Sequence, residues 1–140
     1  MKPYRLKAQY YETDQMGIIH HSNYIRWFES ARIDFMNQLG VSYKAMEEAG
    51  IISPVLSVSC EYKSMVHFDD VVEIEAAIKS YNGIKLCLAY TIKDEASGKL
   101  RTTGESSHCF LDREGRPLSL KKSAPVFQEM FMKWLLSLDV

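Results

Sequence analysis

Four side chains able to hold or move a proton, Glu12, Asp14, His20 and His21, fall within ten residues of one another. They stand between a segment of alternating residues and the start of a long helical pattern, and that position has chemical meaning. The first backbone N–H groups of a helix lack partners inside it and carry the positive end of its dipole. They can bind an anion, or an oxygen that gains negative charge during a reaction. A carboxylate in a short loop beside such a helix start can act as a nucleophile or a general base. Gly17 lets this loop turn tightly or lets its backbone approach a ligand closely. The same residues also suit a plainer role, because an aspartate ahead of a helix closes turns and caps helices, and histidines pack there. His67 and His108 lie outside the cluster and are assigned no role.

The elements on either side must position this loop. Tyr4–Glu12 reads as a strand with Tyr4, Leu6, Ala8 and Tyr10 on one face. The loop spans Thr13–His21. Ser22 or Asn23 is a good N-cap for a helix that runs through Leu39 and stops at Gly40. Tyr24, Phe28, Ala31, Phe35 and Leu39 recur at helical spacing, and Ile25, Trp27 and Met36 widen the apolar surface, so the helix is expected to be covered on most sides. A shorter helix over Tyr43–Ala49 ends at Gly50. Strands are expected over Ile52–Lys63, Asp70–Ser80, Ile84–Lys93 and Leu100–Asp112, with Asn82-Gly83 as a tight hairpin turn. Ser123 is expected to cap a last helix to Leu138, with Val126, Met130, Trp134 and Leu138 on its apolar side.

One strand, one well-covered helix and a meander of strands make an α+β fold in which a curled antiparallel sheet wraps the helix. Such a sheet leaves an edge strand exposed, and edge pairing between two copies would hide it, so a homodimer is expected. At 140 residues, 1–140 reads as one domain, long enough for a core without staples. With 17 basic and 18 acidic residues, net charge gives no general attraction to nucleic acid. The N-terminus has no apolar run and no segment approaches membrane-span length, so a cytoplasmic protein with no membrane span is expected. Cys60, Cys87 and Cys109 are odd in number and widely spaced, which reads as reduced structural thiols with no metal-ligand pairing.

The run Tyr11-Glu12-Thr13-Asp14-Gln15-Met16-Gly17-Ile18-Ile19-His20-His21-Ser22-Asn23-Tyr24, continued by Glu29-Ser30-Ala31-Arg32, resembles the signature of hotdog-fold thioesterases of the 4-hydroxybenzoyl-CoA thioesterase type. That signature has an aspartate, a glycine three residues on, a histidine near the helix start, an aromatic residue and a Glu-x-x-Arg in the helix. The order of elements is also the family's, so the resemblance covers nearly the whole chain. Later segments, Cys60-Glu61-Tyr62-Lys63 and Asp112-Arg113-Glu114-Gly115-Arg116-Pro117, match loosely. The resemblance implies the hotdog fold and acyl-CoA hydrolysis with no metal or prosthetic group. It puts the catalytic carboxylate on Asp14 and a catalytic histidine on His21, whose side chain would orient water or the thioester while its N–H supplies the helix-start oxyanion site, with Gly17 shaping the loop.

The implied chemistry is coherent. A thioester carbonyl is electrophilic, and a thiol of pKa near ~8.5 leaves without obligatory protonation. A carboxylate and an oxyanion site are therefore sufficient, whether the carboxylate attacks directly or activates water. Tyr24 and Phe28, with Trp27, are candidates for the acyl pocket; Lys63, Arg26, Lys85 and Arg101 are candidates for the CoA phosphates. Glu29 is the alternative carboxylate used in a second hotdog branch, but the intact Asp-x-x-Gly favours Asp14, and Glu29 suits an ion pair with Arg32. Acyl carrier protein remains an alternative thiol carrier, and a homotetramer an alternative assembly. A hotdog hydratase or dehydratase and a non-catalytic acyl-CoA binding module are the competing functions. The hydratase's own motif is absent, and the carboxylate of Asp14 counts against the binding module.

Overall fold

The computed structural model describes residues 1–137. Strand β1 (Tyr4–Lys7) leads through a 3-10 turn at Tyr10–Glu12 and the loop to helix α1 (Ser22–Leu39) and the short helix α2 (Tyr43–Glu48). Strands β2 (Val55–Tyr62), β3 (Val71–Tyr81), β4 (Lys85–Asp94) and β5 (Leu100–Cys109) follow, then α3 (Leu120–Ser123) and α4 (Pro125–Ser137). All strand pairs are antiparallel and the sheet order is β1-β3-β4-β5-β2. The fold is the expected α+β hotdog arrangement, a curled sheet around a long helix.

The period-two pattern of the strands fixes which residues meet α1. Val72, Ile74 and Ile78 of β3 and Leu86, Leu88, Tyr90 and Ile92 of β4 are buried, while alternate neighbours stay partly exposed. On α1 the buried set is Tyr24, Trp27, Phe28, Ala31, Phe35, Met36 and Leu39, together with the polar Asn23 and Arg32. Ile25 departs from expectation and stands 43% exposed, as does Ile33 two turns on. Phe28 of α1 stacks on Tyr90 of β4 with ring centroids 4.5 Å apart. Gly104 of β5 makes that approach possible, because a Cβ there would lie 2.5 Å from the Phe28 ring and 2.6 Å from the Ser59 carbonyl.

Four local expectations are corrected. β1 ends at Lys7, and the chain turns before Tyr10, which is 74% exposed rather than on the inner face. Neither Ser22 nor Asn23 caps α1; His21 holds the cap position with helical dihedrals, and Asn23 reaches back into the loop. Ser123 ends α3, and α4 begins at Pro125, a first-turn position that needs no N–H donor. On α4, Phe131 is fully buried, with Phe127, Met130, Trp134 and Leu135 packed on the core; Val126 is 66% exposed, and Leu138 lies outside the described residues. Among the described residues no helix is long and apolar enough to cross a membrane. The three cysteines are free and half-buried.

Candidate active site

Asp14 opens a tight turn closed by a bond from the Gly17 N–H to its carbonyl (3.2 Å) and one from its own N–H to the Ile18 carbonyl (2.8 Å). Gly17 takes a left-handed φ of +78°, and aspartate first with glycine fourth is the ordinary composition of such a turn. One carboxylate oxygen of Asp14, Oδ1, accepts the N–H groups of Met16 (2.7 Å) and Ile18 (3.4 Å). The other, Oδ2, has no protein partner among the described residues. The turn therefore occupies one carboxylate oxygen of Asp14 and leaves the other without a protein partner.

Glu12, two residues earlier, is placed differently. Its carboxylate is buried and accepts the Gln9 N–H (2.8 Å) and the Trp27 indole N–H (2.7 Å). Its carbonyl accepts the His20 N–H (2.8 Å) and the Asn23 side-chain amide (2.9 Å). Glu12 thus ties both ends of the loop to α1, with both carboxylate oxygens engaged in the interior.

At the helix start, the Ser22 N–H donates to His20 Nδ1 (3.2 Å), and the Asn23 and Tyr24 N–H groups donate to the His20 and His21 carbonyls (3.0 and 3.3 Å). The His21 N–H alone in this stretch has no acceptor among the described residues. The His21 ring is exposed and stacks on His20 at 4.2 Å. Asp14 and His21 line one cavity of about 280 Å³, together with Ile18, Tyr24, Tyr62 and Lys63. A residue with a free carboxylate oxygen and a residue with a free N–H thus border one space, a pairing of groups that suits attack at a carbonyl whose oxygen becomes negative.

Tyr24 is buried, with its hydroxyl accepting the Val66 N–H (3.4 Å), and burial raises its pKa. Tyr62 reaches over from β2; its ring lies 5.0 Å from that of Tyr24, and its hydroxyl donates to the His21 carbonyl (3.1 Å). Desolvation, then a hydrogen bond with Cys60, pushes the Tyr62 phenol up to about 12, so it is a neutral donor at pH 7. Lys63 is the cation on this cavity, held 2.7 Å from Glu61 at the surface.

Other expected residues lie elsewhere. Phe28 is in the core against Tyr90 and borders a separate cavity of about 110 Å³. Glu29 and Arg32 make no ion pair, because Arg32 turns inward and donates to the hydroxyls of Tyr43 (2.8 Å) and Tyr90 (3.5 Å) while Glu29 stays exposed. Arg101 is only 14% exposed in its side chain and sits 3.5 Å from Asp94 and 3.9 Å from Asp70, so it is engaged inside the molecule. Arg26 and Lys85 are exposed and do not line the cavity. Tyr62, Ser64 and Met65 line it without having been singled out, since it takes long-range contacts, the pairing of β2 with β5 and the bridge of Ile18 to His67, to bring that segment to the loop.

The sequence model of the thioesterase-like superfamily matches residues 9–135. The Bacillus subtilis protein YneP, provisionally named an acyl-CoA thioesterase, is 35% identical over 129 residues, covering 91% of this chain and 93% of its own. The acyl-CoA thioester hydrolase YbgC of Escherichia coli O6:H1 is 25% identical over 118 residues, covering 84% and 88%. The solved structure of DHNA-CoA thioesterase from Staphylococcus aureus superposes with a TM-score of 0.92 at 34% identity, covering 99% of this chain and 92% of that one.

Proposed function

The chain belongs to the thioesterase-like superfamily, and on that premise we propose that it hydrolyses an acyl-CoA to a carboxylic acid and free CoA at the Asp14–His21 cavity. One observation carries the reading: Asp14, whose Oδ2 has no protein partner, and His21, whose N–H has none among the described residues, line the same cavity. The thioester carbonyl oxygen accepts the His21 N–H, which stabilises the charge that develops there. Asp14 either attacks the carbonyl carbon, giving an anhydride that water then cleaves, or takes a proton from the attacking water. In both routes the C–S bond breaks with its electron pair on sulfur, and the thiolate leaves unassisted. Gly17 shapes the turn, and Tyr24 and Tyr62 wall the acyl group. Lys63 stands where a CoA phosphate enters.

The two tyrosine rings favour an aromatic acyl group, which they meet by stacking or edge contact. The Staphylococcus aureus relative, named for DHNA-CoA, supports the same preference. A homodimer is part of the proposal. β2 is an edge strand exposing Val55 and Val58, and α1 beside it exposes Ile25 and Ile33. These residues border the seam between the two elements, where a second copy pairs its own edge.

The test is thiol release from a panel of aliphatic and aryl-CoA thioesters. Wild type releases thiol, fastest from the aryl members. Asp14→Asn keeps an oxygen for the Met16 and Ile18 N–H groups, so it folds with an unchanged melting temperature while kcat falls by at least ~10²-fold. Near-normal turnover by Asp14→Asn together with loss in Glu29→Gln overturns the assignment. Enoyl-CoA hydration without thiol release, or binding without turnover, overturns the thioesterase reading itself.

A further inference from the structure

We infer that Tyr62 and Asn23 are positioning residues that aim the His21 N–H into the cavity; the inference rests on the thioesterase reading above. A backbone N–H points where its peptide plane points, and the plane carrying the His21 N–H ends in the His20 carbonyl. That carbonyl accepts the Asn23 N–H (3.0 Å) and the Asn23 side-chain amide (3.4 Å). The next plane ends in the His21 carbonyl, which accepts the Tyr62 hydroxyl (3.1 Å) and the Tyr24 N–H (3.3 Å). The two planes that flank the His21 Cα are therefore both held by side chains, one from inside the helix and one from across the cavity.

The two side chains are suited to this task. Asn23 is buried, and its amide bridges the Glu12 and His20 carbonyls, so the loop and the helix start move as one piece. Tyr62 stands on β2 with its ring edge-on to Tyr24, which fixes where its hydroxyl can reach. An N–H directed in advance needs no reorientation when charge develops on the substrate oxygen, and removing such a donor outright costs ~10²–10³-fold in kcat. Misdirecting it should forfeit part of that factor.

Ring and hydroxyl of Tyr62 can be separated. Tyr62→Phe keeps the wall and loses the bond to His21; Tyr62→Leu loses both. With the CoA thioester that wild type turns over best, Tyr62→Phe is expected to lower kcat about tenfold with KM within about twofold of wild type. Tyr62→Leu is expected to lower kcat equally and to raise KM as well. Asn23→Ser is expected to lower kcat at least as far as Tyr62→Phe does, with its melting temperature recorded alongside. A Tyr62→Phe enzyme with wild-type kcat overturns the inference and leaves the thioesterase reading intact, as does one whose only change is a raised KM. A wild type with no Asp14-dependent thiol release overturns both.

Discussion

The carboxylates of Glu12 and Asp14 stand two residues apart and do opposite things. Glu12 has both oxygens engaged in the interior, whereas Asp14 has one oxygen in its turn and one without a protein partner among the described residues. Spacing along the chain brought out the cluster and the Asp14–Gly17 turn, but it could not separate the two acids. The separation comes from Trp27, fifteen residues on, whose indole N–H takes up Glu12. Trp27→Phe leaves a buried carboxylate oxygen unpartnered, which should cost ~1–3 kcal/mol in a denaturant titration. Because Glu12 also ties the loop to α1 through its carbonyl, thiol release should fall in the same variant. Tyr62 was beyond reach of sequence for a related reason: nothing local says that a strand forty residues downstream will meet the His21 carbonyl.

Elements with a strong internal period were legible, and those whose neighbours decide their fate were not. The apolar stripe of α1 is buried as its spacing indicates, and the β3 and β4 alternation is the one that faces it. The alternation in Tyr4–Glu12 misled, since a 3-10 turn carries Tyr10 outward although the pattern continues. The inner face of β5 is polar, with Thr102, Ser106 and His108 buried, and its partners come from three other elements. His108 Nε2 pairs with Ser106 Oγ (2.7 Å), which pairs with the Tyr90 hydroxyl (2.6 Å), and Arg32 links that phenol to Tyr43. Burial, and then the charge of Arg32, push His108 down from 6.5 to about 4. The unfolded chain therefore binds this proton more readily between those pH values, and stability falls as pH drops from about 6.5 towards 4. Unfolding midpoints measured across that window should slope with pH in the wild type and less so in His108→Gln. Gly104→Ala tests the helix–sheet contact directly, with an expected loss of ~1–3 kcal/mol by thermal or denaturant unfolding as Phe28 and Tyr90 are forced apart.

At the scale of the whole molecule the sheet order puts β2 at an edge, with Val55 and Val58 exposed next to Ile25 and Ile33 of α1. If two copies join along this seam as proposed, Val58→Lys should shift the protein from dimer to monomer in sedimentation at micromolar concentration, and Arg26→Ala should not. The same order also governs when the cavity can exist at all. β2 precedes three strands in the chain, yet its partner in the sheet is the last of them, β5. On a ribosome, the loop bearing Asp14 and the strand bearing Tyr62 are made early, but β2 has no sheet partner until residues 100–109 have emerged. The pairing of β2 with β5 closes a long span of chain, which is a slow, high-contact-order step. Until then β2 is an unpaired apolar strand open to wrong partners. Acquisition of activity should thus trail the appearance of helical signal during refolding, because the strand that carries Tyr62 joins the sheet only when β5 does.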